Sequence, residues 1–205
     1  MAMLNLVPSN KAKLTIMREK GVRLLCSKSD HANFPKWIDT SEMNTVELLE
    51  AKGENLQRIE NMMQFYMYDF SEWIPLSFND EGWFSIRSKA EYWAKPSTRA
   101  FLIIVNDEVA GFVTVDDEVT HPEANFSIGY FFVGRKFRGL GVGTAAVKKL
   151  LGLFSGCWQI FHTNQNVSAS AFWKKVIPEA TLNNFSVHSE FIDGYDCTLY
   201  KFRHE

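Results

Sequence analysis

Apolar positions along the chain fall into blocks whose spacing alternates between strand-like and helix-like. A short apolar run at 46–51 precedes Gly53, and beyond it Leu56, Ile59, Met63, Tyr66, Met67 and Phe70 recur at i, i+3, i+7, i+10, i+11 and i+14. That spacing gathers their side chains on one face of a helix, so the pattern predicts a strand followed by an amphipathic helix. The segment 73–96 is irregular, with Pro75, Gly82 and many aromatics, and leaves room for a second short helix around 86–93.

Two runs rich in apolar and β-branched residues follow, 100–105 and 109–115, separated by Asn106-Asp107-Glu108. The separating residues have turn chemistry, which predicts an antiparallel hairpin. The run 126–133 is almost wholly apolar, as expected of a strand covered on both faces. Helical spacing returns at Val147, Leu150, Leu151 and Phe154, running through Gly152, with Lys148 and Lys149 pointing away. Residues 158–163 then read as a strand, 168–176 as a helix ended by Pro178, and 186–202 as a hairpin turning at Asp193-Gly194. The order β, α, β, β, β, α, β, α, β, β predicts an α/β (α+β) domain built on a mixed sheet with helices on both faces.

Residues 1–45 differ from the rest and are expected to form an N-terminal extension to a domain spanning 46–205. Seven Lys or Arg precede residue 37 against two acids, and Gly21 interrupts a helical pattern through Leu14, Met17, Leu24 and Leu25. Such an arm could contact a partner or a nucleic acid, and a solvated basic face would look the same. Across all 205 residues the formal charge is only −2, which gives no general attraction to phosphate backbones or anionic membranes. Neither nucleic acid nor membrane is therefore expected as a partner. Cys26, Cys157 and Cys197 are odd in number, far apart and without a CxxC pair, which favours thiols over disulfides or a metal site. The N-terminus lacks the apolar stretch of a signal peptide, and no 18 consecutive apolar residues occur, so the expected location is the cytoplasm.

The most informative stretch is the succession of strand end, glycine-rich turn and helix start in Val133-Gly-Arg-Lys-Phe-Arg-Gly-Leu-Gly-Val-Gly-Thr144. Glycines at 139, 141 and 143 allow positive φ and close ligand approach, so successive N–H groups can converge on one anion, helped by the helix dipole. Arg135, Lys136 and Arg138 add fixed positive charge to the same rim, which points to a pyrophosphate site. The spacing excludes two nucleotide motifs. A P-loop needs a lysine after its last glycine, where Thr144 follows Gly143 directly, and a dinucleotide fingerprint starting at Gly139 needs glycine where Thr144 stands. A merely tight strand-to-helix turn would use the same glycines and remains an alternative.

These residues resemble the GNAT superfamily of N-acetyltransferases. Its R/Q-x-x-G-x-G/A signature is met by Arg138, Gly141 and Gly143, with Val133 in the place of the valine that closes the preceding strand. A second pattern, Asn then Ala three residues on and an aromatic seven on, is met by Asn166, Ala169 and Trp173. The Tyr68–Ser71 and Phe172–Ile177 runs resemble a bacterial group of uncharacterised predicted acetyltransferases, and the likeness covers roughly 46–203.

The resemblance implies a mostly antiparallel central sheet in which the family's fourth and fifth strands splay apart to admit acetyl-CoA. It places the pantetheine arm along Phe131, Phe132 and Val133, with a strand N–H near Phe132 polarising the thioester carbonyl. The pyrophosphate falls on Arg138, Gly139, Leu140, Gly141, Val142, Gly143 and Thr144, and Asn166 and Trp173 complete the cofactor side. Relatives often carry a tyrosine acid where Trp173 stands and a glutamate where Tyr130 stands, which leaves the Tyr130 phenol as the candidate catalytic group; a packed core tyrosine is the alternative. His121 and His162 are further candidate bases, with no carboxylate paired to either in the sequence. Tyr68, Asp69 and Glu72 fall at the acceptor lip, where two carboxylates could attract a cationic amine. The implied reaction is acetyl transfer from acetyl-CoA to the primary amine of a small molecule or peptide, by direct attack. A CoA-binding module without catalysis, or a platform for a functional N-terminal arm, are the rival readings. Homodimers are common in the superfamily.

Overall fold

The computed structural model of the protein describes residues 14–19, 22–27, 45–85 and 89–205. The chain divides into two compact units, residues 1–43 and 44–205. In the first, β1 (Leu14–Glu19) and β2 (Val22–Ser27) pair antiparallel, from Leu14↔Ser27 to Glu19↔Val22. The helical pattern expected here is thus replaced by a hairpin. Pairing of Glu19 with Val22 leaves only Lys20-Gly21 between the strands, a connection length that hairpins favour.

The second unit is built on a seven-stranded sheet of order β3-β4-β5-β6-β7-β9-β8. Its elements are β3 (Val46–Glu50), α1 (Glu54–Phe70), α2 (Lys89–Ala94), β4 (Arg99–Val105), β5 (Glu108–Asp116), β6 (Phe126–Val133), a 3-10 turn at Arg135–Phe137, α3 (Val142–Leu151), β7 (Gly156–Thr163), α4 (Val167–Thr181), β8 (Ser186–Ile192) and β9 (Tyr195–His204). Every neighbouring pair is antiparallel except β6 and β7. The period-two alternation of strands sorts β4 between two cores. Ala100 and Leu102 pack with Phe112 under Ile59 and Met63 of α1. On the opposite face Phe101, Val113 and Val115 pack with Val147 and Leu150 of α3 and Trp173, Val176 and Ile177 of α4. The predicted mixed sheet with helices on both faces is therefore what forms.

Several boundaries differ from expectation for identifiable reasons. The β4–β5 turn has two residues rather than three: Asn106 and Asp107 take φ of 48° and 65°, and Glu108 already pairs with Val105. Both are residue types that tolerate left-handed backbone, as a tight hairpin turn demands. The Asp193-Gly194 turn, with φ of 50° and 87°, falls where predicted. Helix α4 does not end at Pro178 but carries it inside and runs to Thr181. Proline fixes a helical φ and forfeits only one N–H bond, while Val176 and Ile177 beside it are fully buried. The helix stops at Leu182, whose left-handed φ of 51° turns the chain so that the Asn183 N–H reaches the Pro178 carbonyl. Helix α3 ends at Leu151, so Phe154 lies beyond it and packs against Phe101, Phe126 and Trp158. The short second helix covers Lys89–Ala94, and residues 86–88 lie outside the described residues.

Strand β6 pairs with β7 only at Phe126↔Trp158 and Ser127↔Gln159. Beyond these two pairs β7 continues with β9 through Thr163↔Cys197, and β6 continues with β5. A bulge interrupts that second ladder: Val115 faces Ile128 and Val113 faces Phe131, so Thr114 alone opposes Gly129 and Tyr130. The Thr114 hydroxyl accepts the Tyr130 N–H at 2.8 Å, satisfying the group that the bulge displaces. Strand β6 is consequently not covered on both faces as its composition suggested. Gly129 is exposed, and residues 130–133 are half-buried along the gap.

Trp158 sits at the point of divergence with no exposed surface, its indole N–H donating to the Phe154 carbonyl at 3.2 Å. Trp158→Ala is expected to cost about 3–5 kcal/mol, read as a lower denaturation midpoint with an unchanged denaturant slope. A loss under about 1 kcal/mol would show that the apex of the gap repacks freely.

Candidate active site

The gap between β6 and β7 opens into a cleft of about 890 Å³. Its floor is the β6 main chain from Ile128 to Val133, whose edge toward β7 has lost its strand partner. At the end of β6 the chain makes its 3-10 turn over the buried ring of Phe137 and enters the glycine loop. Gly139 and Gly141 take φ of 77° and 79°, with nothing within 4 Å of where a side chain would begin, so backbone conformation rather than space requires glycine there. Gly143 is constrained differently, since a Cβ there would stand 2.9 Å from the Phe172 ring. Helix α3 starts at Val142 with no side-chain cap, leaving its first-turn N–H groups without intrahelical partners. Gly139, Gly141, Val142, Gly143 and Thr144 line the cleft at this helix start, whereas Leu140 points outward and is 38% exposed.

Two arginines stand at the same end of the cleft, fixed by one carboxylate. Asp69, near the end of α1, accepts from Arg135 Nη2 at 2.8 Å and from Arg138 Nη2 in a second, very short contact. Arg138 also donates from Nε to the Val133 carbonyl at 2.7 Å and lies over the Phe132 ring. Burial by itself would raise the Asp69 pKa, but the hydrogen bonds from Arg138 and Arg135 outweigh it and hold the carboxyl below the usual range. Lys136 turns away and pairs with Glu108 at 2.5 Å, so the loop's local cations are Arg135 and Arg138. Of the three residues expected at the acceptor lip, Asp69 and Glu72 line the cleft, and Tyr68 is 57% exposed away from it. Tyr66, Phe70 and Trp73 add an aromatic wall beside Glu72 that the helical pattern alone did not distinguish from core.

Phe131, Phe132, Val133, Asn166 and Trp173 all line the cleft. Asn166 does so as the N-cap of α4, its Oδ1 accepting the Ala169 N–H at 2.8 Å, which gives the Asn and Ala spacing a mechanical reason. Trp173 is buried against the rings of Phe131 and Phe172, which stack on each other. Tyr130 is not on the wall: its ring packs edge-on against Tyr66 and Tyr92 in the core beneath α1. His121 lies outside the cleft and, contrary to the unpaired reading of the sequence, sits 3.4 Å from Glu190. His162 does line it, buried, with Nδ1 3.0 Å from the Thr163 carbonyl. A carbonyl only accepts, so Nδ1 carries the hydrogen and Nε2 the lone pair, and burial pushes the imidazole pKa down. Among the described residues no group of three or more His, Cys, Asp or Glu is placed to hold a metal ion, and no helix is long and apolar enough to cross a membrane.

An unpaired strand edge, a helix N-terminus behind left-handed glycines, and two arginines at one end of a long cleft suit a ligand with an amide-bearing arm and a pyrophosphate. These are the features that CoA would use.

Residues 59–176 match the model of the acetyltransferase (GNAT) family. The protein belongs to this family. Among solved structures, an acetyltransferase from Thermus thermophilus is similar at 16% identity and a TM-score of 0.58, over 78% of this chain and 97% of that one. A GNAT-family acetyltransferase from Streptococcus agalactiae is similar at 13% identity and a TM-score of 0.57, over 78% and 96%. A variant of the spermidine N-acetyltransferase of Vibrio cholerae shares 12% identity and a TM-score of 0.51, over 78% and 94%. No curated protein matches the sequence significantly.

Asp69→Asn removes the charge that both guanidiniums share. Because the folded-state pKa of Asp69 is depressed, its contribution is present above the unfolded value of about 4 and is lost as pH falls through the folded value. Thermal stability of D69N is therefore expected below wild type near neutral pH, with the gap closing in acid. A gap of equal size at about pH 7 and about pH 2 would assign Asp69 a packing role instead.

Proposed function

We propose that the protein transfers an acetyl group from acetyl-CoA to a primary amine by direct attack within the cleft. The observation that carries this reading is the coincidence of the β6–β7 gap with the glycine loop at the start of α3, one holding an extended arm and the other its anion. Phe131, Phe132 and Val133 would pair with the pantetheine arm; Arg138 and the loop from Gly139 to Thr144 would hold the pyrophosphate. Acetyl-CoA supplies the activated acyl group, and the chain supplies orientation and a polar main chain aimed at the carbonyl. Glu72, exposed on the cleft wall among Tyr66, Phe70 and Trp73, gives a cationic amine both a charge and aromatic faces. The reaction as proposed takes place in the cytoplasm.

The rival reading, a CoA-binding module without catalysis, draws support from the packing of the Tyr130 ring in the core and from tryptophan at 173. Turnover separates the two.

Calorimetric titration with acetyl-CoA is expected to give micromolar binding that disappears when Gly141 and Gly143 are both replaced by bulky residues. Bound wild type is then screened with spermidine, n-butylamine and a peptide with a free N-terminus. Absence of binding by the wild type would leave the glycines as a structural turn and sink the acyltransferase reading.

A further inference from the structure

Behind the exposed main chain of Gly129 lies a buried carboxyl group. Asp116, at the end of β5, is 2% exposed. The Tyr92 hydroxyl of α2 donates to its Oδ2 at 2.5 Å and lies 3.0 Å from the hydroxyl of Thr114, while the Glu118 N–H donates to its Oδ1 at 3.2 Å. A Cβ built on Gly129 would stand 2.1 Å from Asp116 Oδ2 and 2.3 Å from the Tyr92 oxygen. The carboxyl and the phenol thus fill the place of the side chain that the strand lacks. Gly129 itself lines the cleft, two residues before the main chain of Phe131, and Asp116 and Tyr92 lie behind it rather than on the wall.

The partners of Asp116 are two neutral groups, a phenol and an amide, rather than a cation, and Ser127 stands opposite it on β6. Burial pushes its pKa above the usual carboxylate range, and the neighbouring charges of Glu118 and Asp117 act in the same direction. Burial likewise raises the Tyr92 pKa, so the phenol stays protonated as a donor. A carboxylate made more basic in this way is better matched to an alkylammonium than an ordinary surface aspartate.

We propose that Asp116 is the general base of the acyl transfer, acting from behind the side-chain-less Gly129, with Tyr92 as the positioning residue that holds its carboxyl there. This rests on the acyltransferase reading above. Oδ2 takes one proton from the acceptor ammonium, relayed by a water at Gly129, and leaves a neutral amine. The amine nitrogen forms the C–N bond to the acyl carbon as the C–S bond breaks, and its second proton passes to the departing sulfur. The amide nitrogen keeps the third, and Asp116 returns its proton to solvent.

The test compares wild type, Asp116→Asn and Tyr92→Phe with acetyl-CoA and n-butylamine across pH. D116N is expected to lose about 10²–10⁴ in kcat/KM and the acid limb of the profile, with acetyl-CoA affinity by calorimetry unchanged. Y92F keeps the carboxyl but removes the hydrogen bond that lowers its pKa, so the acid limb moves to higher pH; a purely structural tyrosine would lower Tm and leave the limb in place. Independently of turnover, the aspartate ¹³C-carboxyl resonance that is missing from D116N is expected to titrate above the usual range of about 4 in the free protein. Retention of the acid limb in D116N, its loss in His162→Gln instead, or a resonance titrating in the ordinary range would overturn the assignment. Failure of the wild type to bind acetyl-CoA would overturn the acyltransferase reading, and the assignment with it.

Discussion

Main-chain N–H and C=O groups in a folded protein need partners, and a sheet normally supplies them from the next strand. Where β6 and β7 part after two registered pairs, that supply ends on one edge of the stretch from Ile128 to Val133, the other edge staying with β5. Three features surround the gap. The bulge at Gly129 and Tyr130 lets β6 stay with β5 while leaning from β7, and Thr114 takes up the displaced N–H. The Arg138 side chain bonds the Val133 carbonyl at the strand's end. Between them runs a strip of backbone that is available to a ligand with amides of its own.

Charge at the gap is organised by a long-range contact. Asp69 belongs to α1 on one face of the sheet, and the glycine loop leads into α3 on the other, yet one carboxylate fixes both arginines of the loop. An anion bound at the loop and a cation bound beside α1 would therefore each alter what Asp69 faces. The isolated surface pair Lys136 and Glu108 lacks that connection, and exposed pairs of its kind add little to stability.

How far the sequence revealed this architecture depended on the range of the interactions involved. The two hairpin turns were legible because Asn106-Asp107 and Asp193-Gly194 carry their backbone preference in themselves, and the glycine loop because three local signals coincide there. The N-terminal hairpin was misread as helical, since Leu14, Met17, Leu24 and Leu25 satisfy a helical spacing by accident while the pairing of Glu19 with Val22 sets the structure. Pro178 was read as a stop although burial of Val176 and Ile177 carries the helix through it. The splay left no mark in the hydrophobic pattern, since a strand that lines a gap and one that fills a core are both apolar runs, and only the family resemblance led to its expectation, which the parting of β6 and β7 bears out. Likewise Tyr92, Asp116 and Gly129 lie on three elements, and no spacing rule joins them.

The bulge in β6 is also a phase shift. Ile128 and Phe131 face the core under α3 and α4 and Val133 the core under α3, while Tyr130 and Phe132 face α1. Regular alternation would have put Ile128, Tyr130 and Phe132 on one side. The strand therefore reads its residues in two frames, joined at a glycine. Deleting Gly129 would restore the alternation with every face kept, whereas deleting a residue beyond the bulge would exchange the faces of everything on one side of the deletion, although the strand would remain as apolar as before. Substitutions in β6 change one contact, but a change of length beyond the bulge would reassign the inner and outer walls of the cleft together.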